Sequence, residues 1–286
     1  MSSKMEETTL PEVLRTNLAS FILTLKALGI HNILAFDLMS IPSVDALCHG
    51  LETLYILGVI DDETKLTSIG NQVAEFPTEP RVSRILLQSL VDKCSKEILC
   101  VAATLQVRAL FYQPRTPKQQ MDYDSAMNEI MDSSGDHVTC INLMQTNDQT
   151  PLSAEECKEK FVNRLALRRA GEVRSQLAKF LKRYGKIEGM DNGQSEEERS
   201  RVIRKCITSG FFSNTAKLAN DGRYYSLRGK HMIAISKTSA LEKYGMSSEY
   251  ILFCETYDGA KGGIEARSCS AISGKWLREV APFYWA

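Results

Sequence analysis

The sequence predicts a mainly α, multidomain chain: a winged-helix module, then a helical bundle, then an all-β barrel of the OB type. Three observations predict it. Apolar residues recur at helical spacing through most of the first 212 positions. After Phe212 the period changes to two, and β-rich runs alternate with turn signals such as NDG, RGK and DGAKGG. Between these regimes, Pro77 and Pro80 and the polar segment KIEGMDNGQ break the pattern. The expected division is a tail at 1–9, a winged helix at 10–77, a bundle at 78–185 and a barrel with its leading helix at 186–286.

The first helix is expected over Leu10–Leu28, with Thr9 as cap, Pro11 in the first turn and Val13, Leu14, Leu18, Phe21, Ile22, Leu25 and Leu28 inward; Gly29 ends it. Ser43 caps a second helix whose expected apolar face is Val44, Leu47, Leu51, Leu54 and Tyr55. Val59-Ile60 and Lys65-Leu66 flank an acidic turn and predict a short hairpin, after which Thr67 caps a third helix. Helix, helix, hairpin, helix is winged-helix order. A groove-reading winged helix needs a basic recognition helix. The second helix here carries Asp45 and Glu52 and no Lys or Arg, so a structural or protein-binding role is expected instead.

Past the prolines, RVSRILLQSLVDK and SKEILCVAATLQV predict two amphipathic helices, the second capped by Ser95. YQPRTPKQQMDYDSAMNEIMDSSG predicts a loop with a short helix, and GDHVTCINL the start of another, with Asp136 as N-cap and Val138, Ile141 and Leu143 inward. Two helices follow Ser153, the later one rich in Arg and Lys, and EEERSRVIRKCITSGFF is a further helix. RYYSLR, HMIAIS, YILFCET and ARSCSAIS supply strands for a five-stranded barrel, a recurrent binder of single-stranded nucleic acid, and WLREVAPFYW closes as a short helix. Phe211 and Phe212 are expected in the core, Tyr224 and Tyr225 on opposite faces of a strand, and Trp276 and Trp285 sealing the barrel.

Composition excludes several classes. No apolar run approaches the ~18 residues of a membrane span, so no membrane is expected as partner. The eight cysteines form no C-x-x-C pair and sit mostly in apolar runs, which predicts buried, reduced thiols rather than zinc or disulfides. Lys plus Arg equals Asp plus Glu at 35 each, yet the balance is uneven along the chain. Residues 1–77 hold 4 basic and 10 acidic side chains, whereas residues 158–231 hold 18 basic and 8 acidic ones. An acidic front and a basic middle predict that one region meets a polyanion and the other does not. The Asp136-His137 pair suggests catalysis, but no nucleophile elbow or metal spacing accompanies it, and neighbouring helix residues diverge by about 100°.

The succession of blocks resembles the C-terminal half of a DEAH-box ATP-dependent RNA helicase of the pre-mRNA-splicing type. LPEVLRTNL resembles the family's P-E-I-x-R-T-N-L, LETLYILGVID its L-E-x-L-Y-x-L-G-A-[IL]-[DN], and GDHVTCINL its G-D-H-L-T-[LM]-L-N. NRLALRRAGEVRSQL, IRKCITSGFFSNTAKL and WLREVAPFYW match further blocks, in order, to Trp285. The resemblance implies a winged helix, a ratchet bundle and an OB fold that line a single-stranded RNA channel beside two RecA motor domains. It also implies a glycine-rich (G-patch) activator docking on the winged helix, and a nuclear or cytoplasmic setting, the nucleus being favoured.

No G-x-x-x-x-G-K-[ST] and no D-E-A-H run occurs in the sequence, so ATP and Mg²⁺ are expected in the family's motor and no cofactor in this chain, which alone should be inactive in hydrolysis. The alternative is a stand-alone RNA- or protein-binding module. The RNA-binding candidates are Arg174 and Lys217, with ion pairing to Glu172 or Glu156 as the competing role; His137, which touches RNA or braces the motor-facing surface; Thr139; and Lys261 and Arg267. The last two stand in for the Lys and Arg of the family's T-S-K-x-Y-x-R hairpin, which TYDGAKGGIEAR replaces with a Gly-richer version.

Overall fold

In the computed structural model the structure describes residues 18–30, 42–107, 109–112, 114, 116–190, 193–245, 248–258 and 263–285. The chain divides into two compact units, residues 1–84 and 85–286.

The first unit holds α1 (Ala19–Ala27), α2 (Val44–Ile56) and α3 (Ser68–Ala74), with the N-terminal end of α4 (Pro80–Val91). The hairpin reduces to a bridge between Ile60 and Leu66. Ser43 and Thr67 cap α2 and α3, each accepting from a backbone amide three residues on. Thr9 and Pro11 lie outside the described residues, and Leu28 is 72% exposed rather than inward. The buried face of α2 is Leu47, Gly50, Thr53 and Leu54. Val44 and Tyr55, expected inside, are 66% and 48% exposed, because α1 meets α2 through Ile22 at Gly50, rotating the contact stripe off their side. Gly70 lets α3 lie on the hairpin backbone: a Cβ there would sit 2.0 Å from the Val59 carbonyl oxygen. Gly70→Ala is therefore expected to lose about 1–3 kcal/mol to overpacking, read as a lower urea midpoint for the first unit.

The second unit is built on α5 (Ser95–Leu105), whose residues Ile98 to Ala103 are all buried. Around it stand α6 (Pro117–Met127), α7 (Asp136–Gln149), α8 (Ala154–Glu159), α9 (Arg164–Leu181) and α10 (Glu196–Phe211). Ser153 forms a full capping box with Glu156. Cys94, not Ser95, is the N-cap of α5; the Ser95 hydroxyl donates back to the Ser89 carbonyl at 3.1 Å. α10 leads through buried Phe211 and Phe212 into the barrel.

The barrel is closed in the order β1-β2-β3-β5-β4, with β1 Thr215–Leu218, β2 Tyr224–Ser226, β3 Met232–Ile235, β4 Tyr250–Asp258 and β5 Ile264–Ile272. All pairs are antiparallel except β3 with β5. A one-turn helix, α11 (Ala240–Lys243), joins β3 to β4, and α12 (Gly274–Val280) follows β5. Ala216, Tyr224, Ile233, Leu241, Ile251, Phe253, Ala266 and Cys269 fill the interior. Trp276 and Trp285 are not part of that core: Trp276 faces the Arg204 guanidinium of α10 at 5.6 Å, and Trp285 packs edge-on against Tyr284. Five of the eight cysteines are buried as expected, Cys140 and Cys254 are half-buried, and Cys48 on α2 is exposed.

Candidate nucleic-acid interface

A groove of about 860 Å³ lies within the second unit. One wall is the end of α5 and the segment after it, including Thr104 and Tyr112; the floor is the start of α7; the other wall is barrel, from Ser236–Ser239 to Tyr257 and Arg267.

The start of α7 is where bundle and barrel are joined. Gly135 is its N-cap, at φ 137, and a Cβ there would stand 2.5 Å from the Cys269 carbonyl oxygen. That close approach forms a β-bridge between Gly135 and Ser270 and lets the Ala271 amide donate to the Ser134 carbonyl at 2.9 Å. Asp136 is thus not the cap of its own helix. Asp136 is half-buried, and its carboxylate accepts from the Ser239 hydroxyl (2.9 and 3.0 Å), the Ala240 amide (2.7 Å) and the Cys269 amide (2.8 Å). It caps α11 and pins β5 from another element. Burial pushes the Asp136 carboxyl above its ordinary value, opposed by these donors.

His137 is 3% exposed. Its Nδ1 lies 2.8 Å from Ser270 Oγ and its Nε2 3.2 Å from Cys254 Sγ. Burial lowers its pKa to about 4, so the imidazole is neutral at pH 7, with one nitrogen donating and one accepting. Asp136 and His137 face different partners and form no dyad. The Thr139 hydroxyl is also engaged, donating to Gly135 O and accepting from Asp132 N, both at 3.0 Å. Both residues line the groove, but the His137 ring nitrogens are turned to the barrel at Ser270 and Cys254, and the Thr139 hydroxyl closes the turn that leads into α7.

Arg267 stands at the rim. Its Nε donates to Glu265 at 3.0 Å, and its guanidinium lies 4.3 Å from the centre of the Tyr257 ring. Tyr257 is 47% exposed and donates its hydroxyl to Glu255 at 3.0 Å; Tyr112, on the opposite wall, is 51% exposed. These aromatic walls were not among the residues expected from sequence, although TYDG is where the hairpin leaves the familiar pattern. Lys261 lies outside the described residues.

The other two candidates sit away from the groove. Arg174, on α9, grips Asp148 of α7 with two contacts of 2.7 Å, which holds its charge still more firmly, and also reaches Cys100 of α5. It ties bundle helices together, through an acid neither Glu172 nor Glu156. Lys217, on β1, pairs with Glu249 at 3.4 Å and lies 5.2 Å over Tyr250. On α9 the exposed basic side chains are Arg164, Arg168, Arg169, Lys179 and, just beyond its end, Lys182 and Arg183.

Three family profiles match this chain: a helicase-associated (HA2) winged-helix domain over residues 50–78, a ratchet-like helicase-associated domain over 79–140, and an oligonucleotide/oligosaccharide-binding OB fold over 203–284. The chain is 35% identical over 285 residues, 99% of its length, to proteins described as probable ATP-dependent RNA helicase DHX35 from Pongo abelii and Homo sapiens. It spans 38% and 39% of the length of those relatives. Among the described residues no helix is long and apolar enough to cross a membrane. With a winged helix, a ratchet-like bundle and a closed OB barrel in that order, the chain belongs to the C-terminal, helicase-associated region of the DEAH-box RNA helicases.

Proposed function

We propose that this chain is the accessory region with which a DEAH-box helicase holds single-stranded RNA and couples it to RecA motor domains. The observation that carries the reading is the groove between bundle and barrel, with Tyr112 and Tyr257 exposed on its opposite walls. Among the described residues its lining holds one arginine and no lysine, Arg267, beside Glu255 and half-buried Asp136, which favours bases over phosphates there. Every base offers a face to an aromatic ring, which makes stacking tolerant of sequence. Phosphates then run along basic side chains outside the lining, for which the exposed face of α9 and Lys217 are available. ATP and Mg²⁺ belong, on this reading, to the motor domains, since the P-loop sequence is absent here.

Titrating the chain with a fluorescent oligouridine at two salt concentrations tests the proposal. Binding is expected at low salt and should weaken as salt rises. Tyr257→Ala should cost about 1–3 kcal/mol, on the order of tenfold in affinity, with the fold intact. Absence of binding at low salt, or no loss in Tyr257→Ala and Tyr112→Ala together, would overturn it.

The first unit suits a different partner. The exposed side of α2 shows Val44 and Tyr55 near Asp45 and Glu52, and the acidic turn Asp61-Asp62-Glu63 is exposed as well. We assign this face to a basic, glycine-rich activator peptide, and the setting to pre-mRNA splicing in the nucleus.

A further inference from the structure

We propose that Asp92, Cys94 and Cys206 form a binding site for a thiophilic divalent cation such as zinc, remote from the groove and independent of RNA binding. The two Sγ atoms and a carboxylate oxygen of Asp92 all lie within 4.8 Å of one another. The ligands come from two segments far apart in sequence, which is why no C-x-x-C spacing announces them. Lys93, between two of them, adopts the left-handed backbone (φ 54) at the corner where α4 gives way to α5, and the turn presents both neighbours to α10.

The spacing is close to that of a tetrahedral metal site. Zinc–thiolate bonds of about 2.3 Å hold two tetrahedral sulfurs just under ~4 Å apart, so closure needs less than ~1 Å of side-chain movement. Both thiols are buried, and the Cys206 thiol lies 3.5 Å from the Ile85 carbonyl and within hydrogen-bond reach of Cys94 and Asp92. Gln88 Nε2 donates to Asp92 Oδ1 at 3.0 Å, orienting the carboxylate as donors behind metal ligands do. Asp92 also lines a small cavity of about 350 Å³ with Arg201, Lys205, Trp276 and Glu279. That cavity reaches the site at Asp92, the side from which an ion and a water for the fourth position would enter. Two thiolates and a carboxylate around a divalent ion leave one net negative charge. Arg201 and Lys205 are of the sign to balance it, Lys205 while also pairing with Glu279. Binding releases two thiol protons and ties the α4–α5 corner to α10, the helix that leads into the barrel.

Cobalt(II) alone, titrated into the reduced, metal-free full chain, is the probe. The expected result is one equivalent bound with thiolate-to-cobalt charge-transfer absorption and ligand-field bands of tetrahedral intensity, displaced by zinc, and a raised melting temperature. Cys94→Ser and Cys206→Ser should abolish the charge-transfer band, while Cys48→Ser, at an exposed thiol, should leave it. Should the buried serine variants fail to fold, half-buried Asp92→Asn decides: on the order of tenfold weaker binding supports the site. No charge-transfer band in the wild type, or bands of equal strength in Asp92→Asn and wild type, overturns it.

Discussion

Asp136→Ala is expected to destabilise the second unit by about 3–5 kcal/mol, because three donors lose their acceptor at about 1–3 kcal/mol each. The carboxylate accepts from Ser239, Ala240 and Cys269, and the substitution leaves all three donors without it at the floor of the groove. Asp136→Asn should fall between, because its amide keeps one accepting oxygen but turns N–H groups toward donors. Urea unfolding followed by far-ultraviolet circular dichroism gives the loss, and hydrogen exchange at the Ala240 and Cys269 amides localises it. A loss below about 1 kcal/mol would mean that water from the groove satisfies the stranded donors.

The second large effect is acid destabilisation through His137. The imidazole titrates at about 4 in the folded chain, against 6.5 when unperturbed. At pH 7 both folded and unfolded forms are essentially neutral there, and its full contribution is present. Below pH 6.5 the unfolded chain takes up a proton that the folded chain refuses until about pH 4. Stability therefore falls as pH drops through that window, by about 2 kcal/mol between pH 7 and 5 and about 3 kcal/mol in all. Asp136, whose carboxyl is raised by burial, works in the opposite sense at the lower end of the window. The measurement is accordingly a difference: urea midpoints of wild type and His137→Gln across pH 4 to 7. The wild type should show the steeper acid decline, and parallel curves would refute the assignment.

Much of the fold could be read from local chemistry. Ser43, Thr67 and Ser153 cap the helices they precede, since a cap is decided within four residues. Asp136 shows the limit. An aspartate at a helix start has the same sequence signature whether it serves its own amides or those of α11 and β5, more than a hundred residues on. β1 escaped notice because TAKL is too short to display alternation, and α11 because one turn has no periodicity. The site was legible only in part. GDH located the floor of the groove, but Tyr112 and Tyr257 come to line the same groove by tertiary folding alone. The charge that marks Arg174 in the sequence is spent on Asp148, an acid 26 residues away on another helix.

The bridge between Gly135 and Ser270 also has a mechanical meaning. Force applied to a strand of β5 would load that bridge, the Ser134–Ala271 hydrogen bond and the Asp136 cluster in shear, several bonds at once. No flexible linker intervenes at this point to absorb the displacement. The barrel is thus joined to α7 by several bonds that would have to give way together rather than one after another.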